Sequence, residues 1–224
     1  MKRKGKNLLG TGILLLMAFA IWTWLIQVVD VKPAPNTGTN VGFATFNLWF
    51  HQLTGVHMSL YVITDWLGLV PIFICMIFGG IGLFQLIKRR NLFKVDYDIL
   101  FLGIYYVIVI FGYLIFEMIP INYRPILIEG FMEASYPSST TLLVLSVMPT
   151  LIFQVKQRIT SNRLCEIICI MTYIFSAFMV IGRLVSGVHW FTDIVGSVML
   201  STGLFLIYKG FVLSCNNKNT LNTP

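Results

Sequence analysis

A chain of 224 residues in which 57% are hydrophobic and only 11% charged, with a mean hydropathy of +0.81, is excluded from the soluble globular class and has the composition of an integral membrane protein. Its formal net charge of +7 invites a nucleic-acid reading, which the placement of the charges removes below. Four cysteines (Cys75, Cys165, Cys169, Cys215) lie in apolar runs or near the end of the chain without zinc or secreted-domain spacing, so neither a metal site nor a disulfide framework is expected.

The chain starts basic, with Lys2, Arg3, Lys4 and Lys6 ahead of an apolar run over 8–29. That run is longer than a signal-peptide core and no small-x-small cleavage site follows it before Asp30, so it is expected to stay as a first transmembrane helix. A polar loop with proline and glycine covers 30–40. Residues 41–61 mix aromatics with Asn47, His51, Gln52 and His57, which suits an interfacial or partly buried segment. His51 and His57, six apart, share no helix face and read as hydrogen-bonded interface residues rather than ligands.

The second span is expected over 66–87, with Thr64-Asp65 as its start signal, and the third over 99–116. A loop from Glu117 to Tyr136 leads to a fourth span over 138–154, short for a full crossing unless tilted. The fifth covers 164–181, the sixth 191–213, and 214–224 is a short polar tail expected to be cytoplasmic and disordered. Six spans place both termini on one side. Thirteen of the 16 Lys and Arg residues fall on the side of the termini, and only Lys32, Arg124 and Arg183 fall opposite. Cytoplasmic loops carry the excess of Lys and Arg, so the expectation is an all-α membrane protein of six transmembrane helices with both termini cytoplasmic. The positive charge then reports topology and calls for no nucleic acid. Residues 1–224 form a single integral membrane domain, with no length left for a second, soluble one.

Two arginines on the outer side go against that bias, and both lie beside other polar signals. Arg183 opens the stretch Gly182-Arg183-Leu184-Val185-Ser186-Gly187-Val188-His189-Trp190-Phe191-Thr192-Asp193, a polar break between two apolar runs. Ionisable groups are costly beside hydrocarbon, so the cluster marks a functional site by default. If a helix begins near Val188, His189 and Asp193 share a face, and the carboxylate holds one ring nitrogen while the other stays free as nucleophile or base. Arg124 precedes Pro125, and Pro137-Ser138-Ser139 opens the fourth helix on the same side, where free N–H groups favour an anion. Interfacial anchoring by a His-Trp pair and plain capping by the serines are the bland alternatives. In concert these residues suit a phosphoryl group, with His189 as nucleophile oriented by Asp193, and with Arg124, Arg183, Ser138 and Ser139 binding phosphate.

The order Arg-Pro, Pro-Ser, then Arg with His six later and Asp four after that resembles the type 2 phosphatidic acid phosphatase superfamily of membrane lipid phosphatases. That family's motifs read KxxxxxxRP, PSGH and SRxxxxxHxxxD, and the resemblance covers about Glu117 to Asp193 plus the overall topology. Arg183, His189 and Asp193 match the third motif, with Gly182 at its serine. Arg124 and Pro125 match the first, with Glu117 at its lysine, and Pro137 and Ser138 match the second, with Ser139 at its glycine and Thr140 at its histidine. The resemblance implies a phosphohistidine intermediate at His189, a lipid phosphate or lipid diphosphate as substrate, surrounding membrane lipids, no cofactor and no metal. The chain is expected to be a multi-pass cell-membrane protein, and the charge bias puts the site on the extracytoplasmic side.

The departures matter because the family's second-motif histidine protonates the leaving oxygen, which Thr140 cannot do at neutral pH. Three explanations are open. A diphosphate, polyprenyl diphosphate for example, leaves as a monophosphate with a second pKa of about 6 and needs little protonation. A carboxyl, Glu117 first, with Glu129 and Glu133 as further candidates, replaces the acid, which would permit a phosphatidic acid or phosphatidylglycerophosphate phosphatase. Or hydrolysis is lost, and the protein transfers, binds or transports a lipid phosphate.

Overall fold

In the computed structural model, which describes residues 2–219, every long element is helical. The order is α1 (Lys2–Val28), β1 (Lys32–Pro33), β2 (Asn40–Val41), α2 (Ala44–Thr54), α3 (Met58–Leu67), α4 (Leu69–Arg89), a 3-10 turn (Leu92–Lys94), α5 (Tyr97–Met118), α6 (Ser139–Arg158), α7 (Asn162–Val185) and α8 (Phe191–Asn219). Six stretches among the described residues are long and apolar enough to cross a bilayer: Arg3–Val28, Met58–Arg89, Tyr97–Met118, Ser139–Arg158, Asn162–Val185 and Phe191–Cys215.

The second of these corrects the expected start at Trp66. Thr64 and Asp65 lie inside α3 and cap nothing: the Thr64 hydroxyl donates back to the carbonyls of Leu60 (2.8 Å) and Tyr61 (2.9 Å), as a threonine within a helix does. The apolar stretch begins earlier, at Met58, and passes from α3 to α4 at Gly68, whose N–H bonds the carbonyls of both Thr64 and Asp65. The result carries Tyr61 and Asp65 one and two turns deep in the span.

The fourth span also runs past the expected end at Gln154. Helix α6 is the most enclosed span, with 61% of its apolar window buried against 17–33% for the other five. Its polar side chains face neighbouring helices, where the alternative is hydrocarbon. The Thr150 hydroxyl bonds that of Tyr106 (2.8 Å), Gln154 donates to Tyr208 (2.8 Å), and Arg158 pairs with Asp98 (2.7 Å). Thr150 and Gln154 thus belong to its interior contact face, while Lys156, Gln157 and Arg158 are exposed.

Helix α1 packs along α8 through glycines seven residues apart. A Cβ on Gly12 would lie 2.8 Å from the Gly203 carbonyl, and one on Gly210 would lie 3.0 Å from that of Gly5, so only glycine lets these backbones approach. Helix α8 continues to Asn219, so the first part of the expected disordered tail is helical, and 220–224 lie outside the described residues.

At the end of the bundle that gathers the loops, a short hairpin (β1 with β2) leads into α2. Asn47 of α2 donates to the Thr192 hydroxyl (3.0 Å) at the start of α8. The corner between α2 and α3 then clamps the turn joining α7 to α8. His51 Nε2 donates to the Gly187 carbonyl (3.1 Å), and the His57 N–H donates to that of Ser186 (2.9 Å). Both histidines are hydrogen-bonded contact residues, and the segment 41–61 is the two-helix brace that fixes this turn.

Candidate active site

The turn between α7 and α8 depends on Gly187, at φ +73°, where a Cβ would lie 2.1 Å from the Gly55 carbonyl. Beyond it, α8 begins at Phe191 rather than near Val188. His189 therefore sits in the turn, and His189 and Asp193 do not share a helix face. Asp193 lies in the first turn of α8 and reaches back, its Oδ2 accepting the Trp190 N–H at 2.8 Å, so the carboxylate both closes the helix start and sits beside the imidazole.

The contact between the two is indirect. His189 Nδ1 is 3.8 Å from Asp193 Oδ2, and Ser135 lies between them. The Ser135 hydroxyl donates to Asp193 Oδ2 and is 3.2 Å from Nδ1, while Nδ1–H donates to the Ser135 carbonyl at 3.1 Å. Asn122 Nδ2 donates to Asp193 Oδ1 at 3.4 Å. A backbone carbonyl accepting from Nδ1 fixes the tautomer, so the Nε2 lone pair is free.

His189 is 4% exposed, and burial, opposed by Asp193 and aided by the charges of Arg124 and Arg183, pushes its pKa down from 6.5 to about 4. The imidazole is then neutral at pH 7, with a lone pair on Nε2. Folding lowers this group's proton affinity. Its share of stability is therefore complete above about pH 6.5 and is lost as pH falls through the window down to about 4. In histidine-labelled protein, with the signal assigned by comparison with His189→Ala, the imidazole resonance of His189 is expected to titrate with a midpoint near 4. A midpoint near 6.5 would refute the account.

Arg124 arrives through a strand-like pairing of the two arms of the loop between α5 and α6, its N–H bonding the Glu133 carbonyl (3.1 Å) as Ser135 N–H bonds that of Asn122 (2.9 Å). Arg183 is 1% exposed at the end of α7. The face of Tyr61 packs against both guanidinium groups, with its ring centre 4.8 Å from the Arg183 carbon and 5.6 Å from that of Arg124. Each arginine has one carboxylate near it: Arg124 Nη2 is 3.0 Å from Glu133, and Arg183 Nη1 is 3.5 Å from Asp65, too loosely placed for a hydrogen bond. Arg124 Nε and Nη1, Arg183 Nε and Nη1, and His189 Nε2 are buried without a hydrogen-bond partner. They make up five of the six such side-chain atoms among the described residues. Orphaned buried donors are expensive, and four guanidinium donors beside one free imidazole nitrogen point to a ligand rich in acceptor oxygens.

The serines divide. Ser138 is fully buried; its hydroxyl donates to Thr141 (3.1 Å) and its N–H to the Asp193 carbonyl (3.4 Å), so it braces α8. Ser139 lines two adjoining cavities at the start of α6, whose first intrahelical bond is Leu142 N–H to the Ser138 carbonyl. One cavity, about 190 Å³, is polar and lined by Glu117, Arg124, Glu133 and Ser139. The other, about 250 Å³, is mostly apolar, lined by Leu69, Ile72 and Val109 together with Asp65, Ser139 and Thr140. Glu117 is exposed on the Arg124 side, away from the cavity that holds Thr140.

Arg124, Arg183, His189 and Asp193 thus come together, His189 and Asp193 through the turn and Ser135 rather than on a shared helix face. Ser135, Asn122, Tyr61 and Asp65 were missed. For Ser135 the only signal is its place just ahead of Tyr136-Pro137, and for Asp65 a carboxylate within an apolar run.

Residues 99–217, more than half of the chain, match the PAP2 superfamily. The protein belongs to this family. The PAP2 resemblance carried by Glu117 to Asp193 therefore holds, and the family is generally one of membrane phosphatases. Over 90% of this PAP2 chain and 96% of the other, the fold agrees with the crystal structure of a transmembrane PAP2 type phosphatidylglycerolphosphate phosphatase from Bacillus subtilis. The TM-score is 0.64 and the sequence identity 18%. No curated protein matches the PAP2 chain described here.

Proposed function

We propose that the protein is a lipid phosphatase or phosphotransferase that works through a phosphohistidine at His189. The observation that carries this is the cluster of orphaned nitrogens. Two guanidinium groups and one imidazole are buried with unpartnered nitrogens, and one of the arginines, Arg124, shares a cavity with Ser139 at a helix start. In this reading the phosphoryl oxygens take the free Nε and Nη1 donors of Arg124 and Arg183, Ser139 and the first N–H groups of α6 add donors, and His189 Nε2 attacks phosphorus. Ser135 and Asp193 hold the ring and stabilise the charge it gains. The arginines and the helix start supply the positive charge, so no metal is needed.

The apolar cavity beside Ser139 accommodates the first part of a lipid tail, which supports a lipid substrate. The excess of Lys and Arg on the side of the termini supports cytoplasmic termini and a site facing the extracytoplasmic leaflet. The Bacillus subtilis relative is a phosphatidylglycerolphosphate phosphatase, which makes a lipid monophosphate the first substrate to test. Thr140 in place of a histidine favours a second reading, a polyprenyl diphosphate whose leaving group needs no acid.

The test is phosphate release by the purified protein in detergent from phosphatidic acid, phosphatidylglycerophosphate and a polyprenyl diphosphate, with and without chelator. Release is expected from at least one of them and to be indifferent to chelator. Lipid phosphate bound without release from any would move the assignment to transfer or to a binding protein.

A further inference from the structure

Resting on the phosphatase reading, we propose that Asp65 is the general acid that protonates the leaving oxygen, in the place left by Thr140. Three observations converge. Asp65 of α3 and Thr140 of α6 line one cavity, and Ser139 lines both that cavity and the one that holds Arg124. Asp65 Oδ1 is 3.5 Å from Arg183 Nη1, so the carboxyl is within one phosphoryl diameter of the group that would hold phosphate. Its side chain is 58% exposed and makes no hydrogen bond to Arg183, so it is free to turn from the arginine to a substrate oxygen. Glu117, the carboxyl the sequence favours, lines the other cavity, which Thr140 does not reach.

When a phosphoryl group takes Arg183 from Asp65, the carboxylate is left beside negative charge, and one shared proton relieves the repulsion, as it does in pairs of carboxylates. The proton needed for the leaving group thus arrives with the substrate. With phosphatidic acid, the Nε2 lone pair of His189 forms the N–P bond as the P–O bond to glycerol breaks. The bond electrons pass to the glycerol oxygen, which takes the Asp65 proton and leaves as diacylglycerol. Water then attacks phosphorus, the P–N electrons return to Nε2, and the Asp65 carboxylate takes the water proton, which restores the acid and releases inorganic phosphate. Tyr61, one turn earlier on α3, keeps the two arginines in place while this happens.

An acid is needed in proportion to the basicity of the leaving oxygen, so the test compares phosphatidic acid, which leaves as an alkoxide, with p-nitrophenyl phosphate, which leaves as a weakly basic phenoxide. Asp65→Asn is expected to lower kcat on phosphatidic acid by about 10²–10³-fold and on p-nitrophenyl phosphate by less than about tenfold. Adding Thr140→His to Asp65→Asn is expected to recover phosphatidic acid turnover. Asp65→Glu, which keeps the acid on a longer arm, guards against misfolding of the amide variant and is expected to keep both activities within about tenfold. Equal losses on the two substrates in Asp65→Asn would overturn the proposal and leave Asp65 as a positioning residue for Arg183. No loss on either would overturn it outright. Loss of both activities in His189→Ala keeps the phosphatase reading standing in either case, whereas a wild-type protein inactive on both substrates defeats that reading itself.

Discussion

His189→Ala is expected to lower phosphate release by about 10⁴-fold or more, the loss seen when a covalent nucleophile is removed from a preorganised site. The size of the effect follows from how much of the surroundings serves this one ring. Ser135 contributes both its carbonyl and its hydroxyl, Asp193 closes α8 and faces the ring, and Nε2 is left with no partner among the described residues. Alanine removes the ring without disturbing the bond from Trp190 N–H to Asp193 or the one from Ser135 to Asp193, so the helix start persists and the variant is expected to fold. The intermediate gives an independent check. With a lipid carrying labelled phosphate, rapid quenching of the wild-type protein is expected to trap protein-bound label that survives alkali and is lost in acid, as a P–N bond behaves, and the variant is expected to trap none. Label that survives acid, or turnover within tenfold of wild type in the variant, would rule out His189 as the nucleophile.

The parts of the molecule that the sequence discloses are those fixed by local pattern. Long apolar runs disclose the spans, and the spacing of Arg183, His189 and Asp193 within eleven residues discloses the candidate site, because the turn and the first turn of α8 are a local structure. The errors arise where a neighbouring helix changes what a polar residue means. Gln154 looks like the exit from the membrane, yet Tyr208 holds it inside the bundle. Thr64-Asp65 has the form of a helix start, yet α3 continues through it, because the threonine turns its hydroxyl onto its own backbone while Asp65 finds Arg183 from another helix. Gly182 illustrates the same point. A Cβ there would lie 2.8 Å from the Thr64 methyl, so the serine of the family motif is missing where α3 packs closely on α7. Ser135 is invisible for a plainer reason: its role depends on the loop between α5 and α6 folding against α8, and nothing in its immediate neighbours encodes that contact.

Arg183→Ala is expected to lower kcat/KM by about 10³–10⁵-fold, the range for an arginine that stabilises a phosphoryl group in transfer. Arg183→Lys is expected to recover little, because a lysine offers a point charge where the site presents a planar fork against Tyr61. The sign of the accompanying stability change discriminates further. Arg183 is almost fully buried, makes no side-chain hydrogen bond among the described residues, and faces the Tyr61 ring and a loosely placed carboxylate. A buried charge so poorly compensated costs the resting protein stability, so replacing it with an apolar side chain of similar length, Arg183→Met, is expected to leave the thermal midpoint in detergent unchanged or raised while activity is lost. Inorganic phosphate supplies the missing acceptors. It is expected to raise the midpoint of the wild-type protein in a concentration-dependent way and to leave that of Arg183→Met unmoved. A structural arginine would behave in the opposite manner, with a lowered midpoint in the variant and no linkage to phosphate in either protein. Either result would remove Arg183 from the phosphate site and take with it the reason for placing Asp65 beside the leaving oxygen.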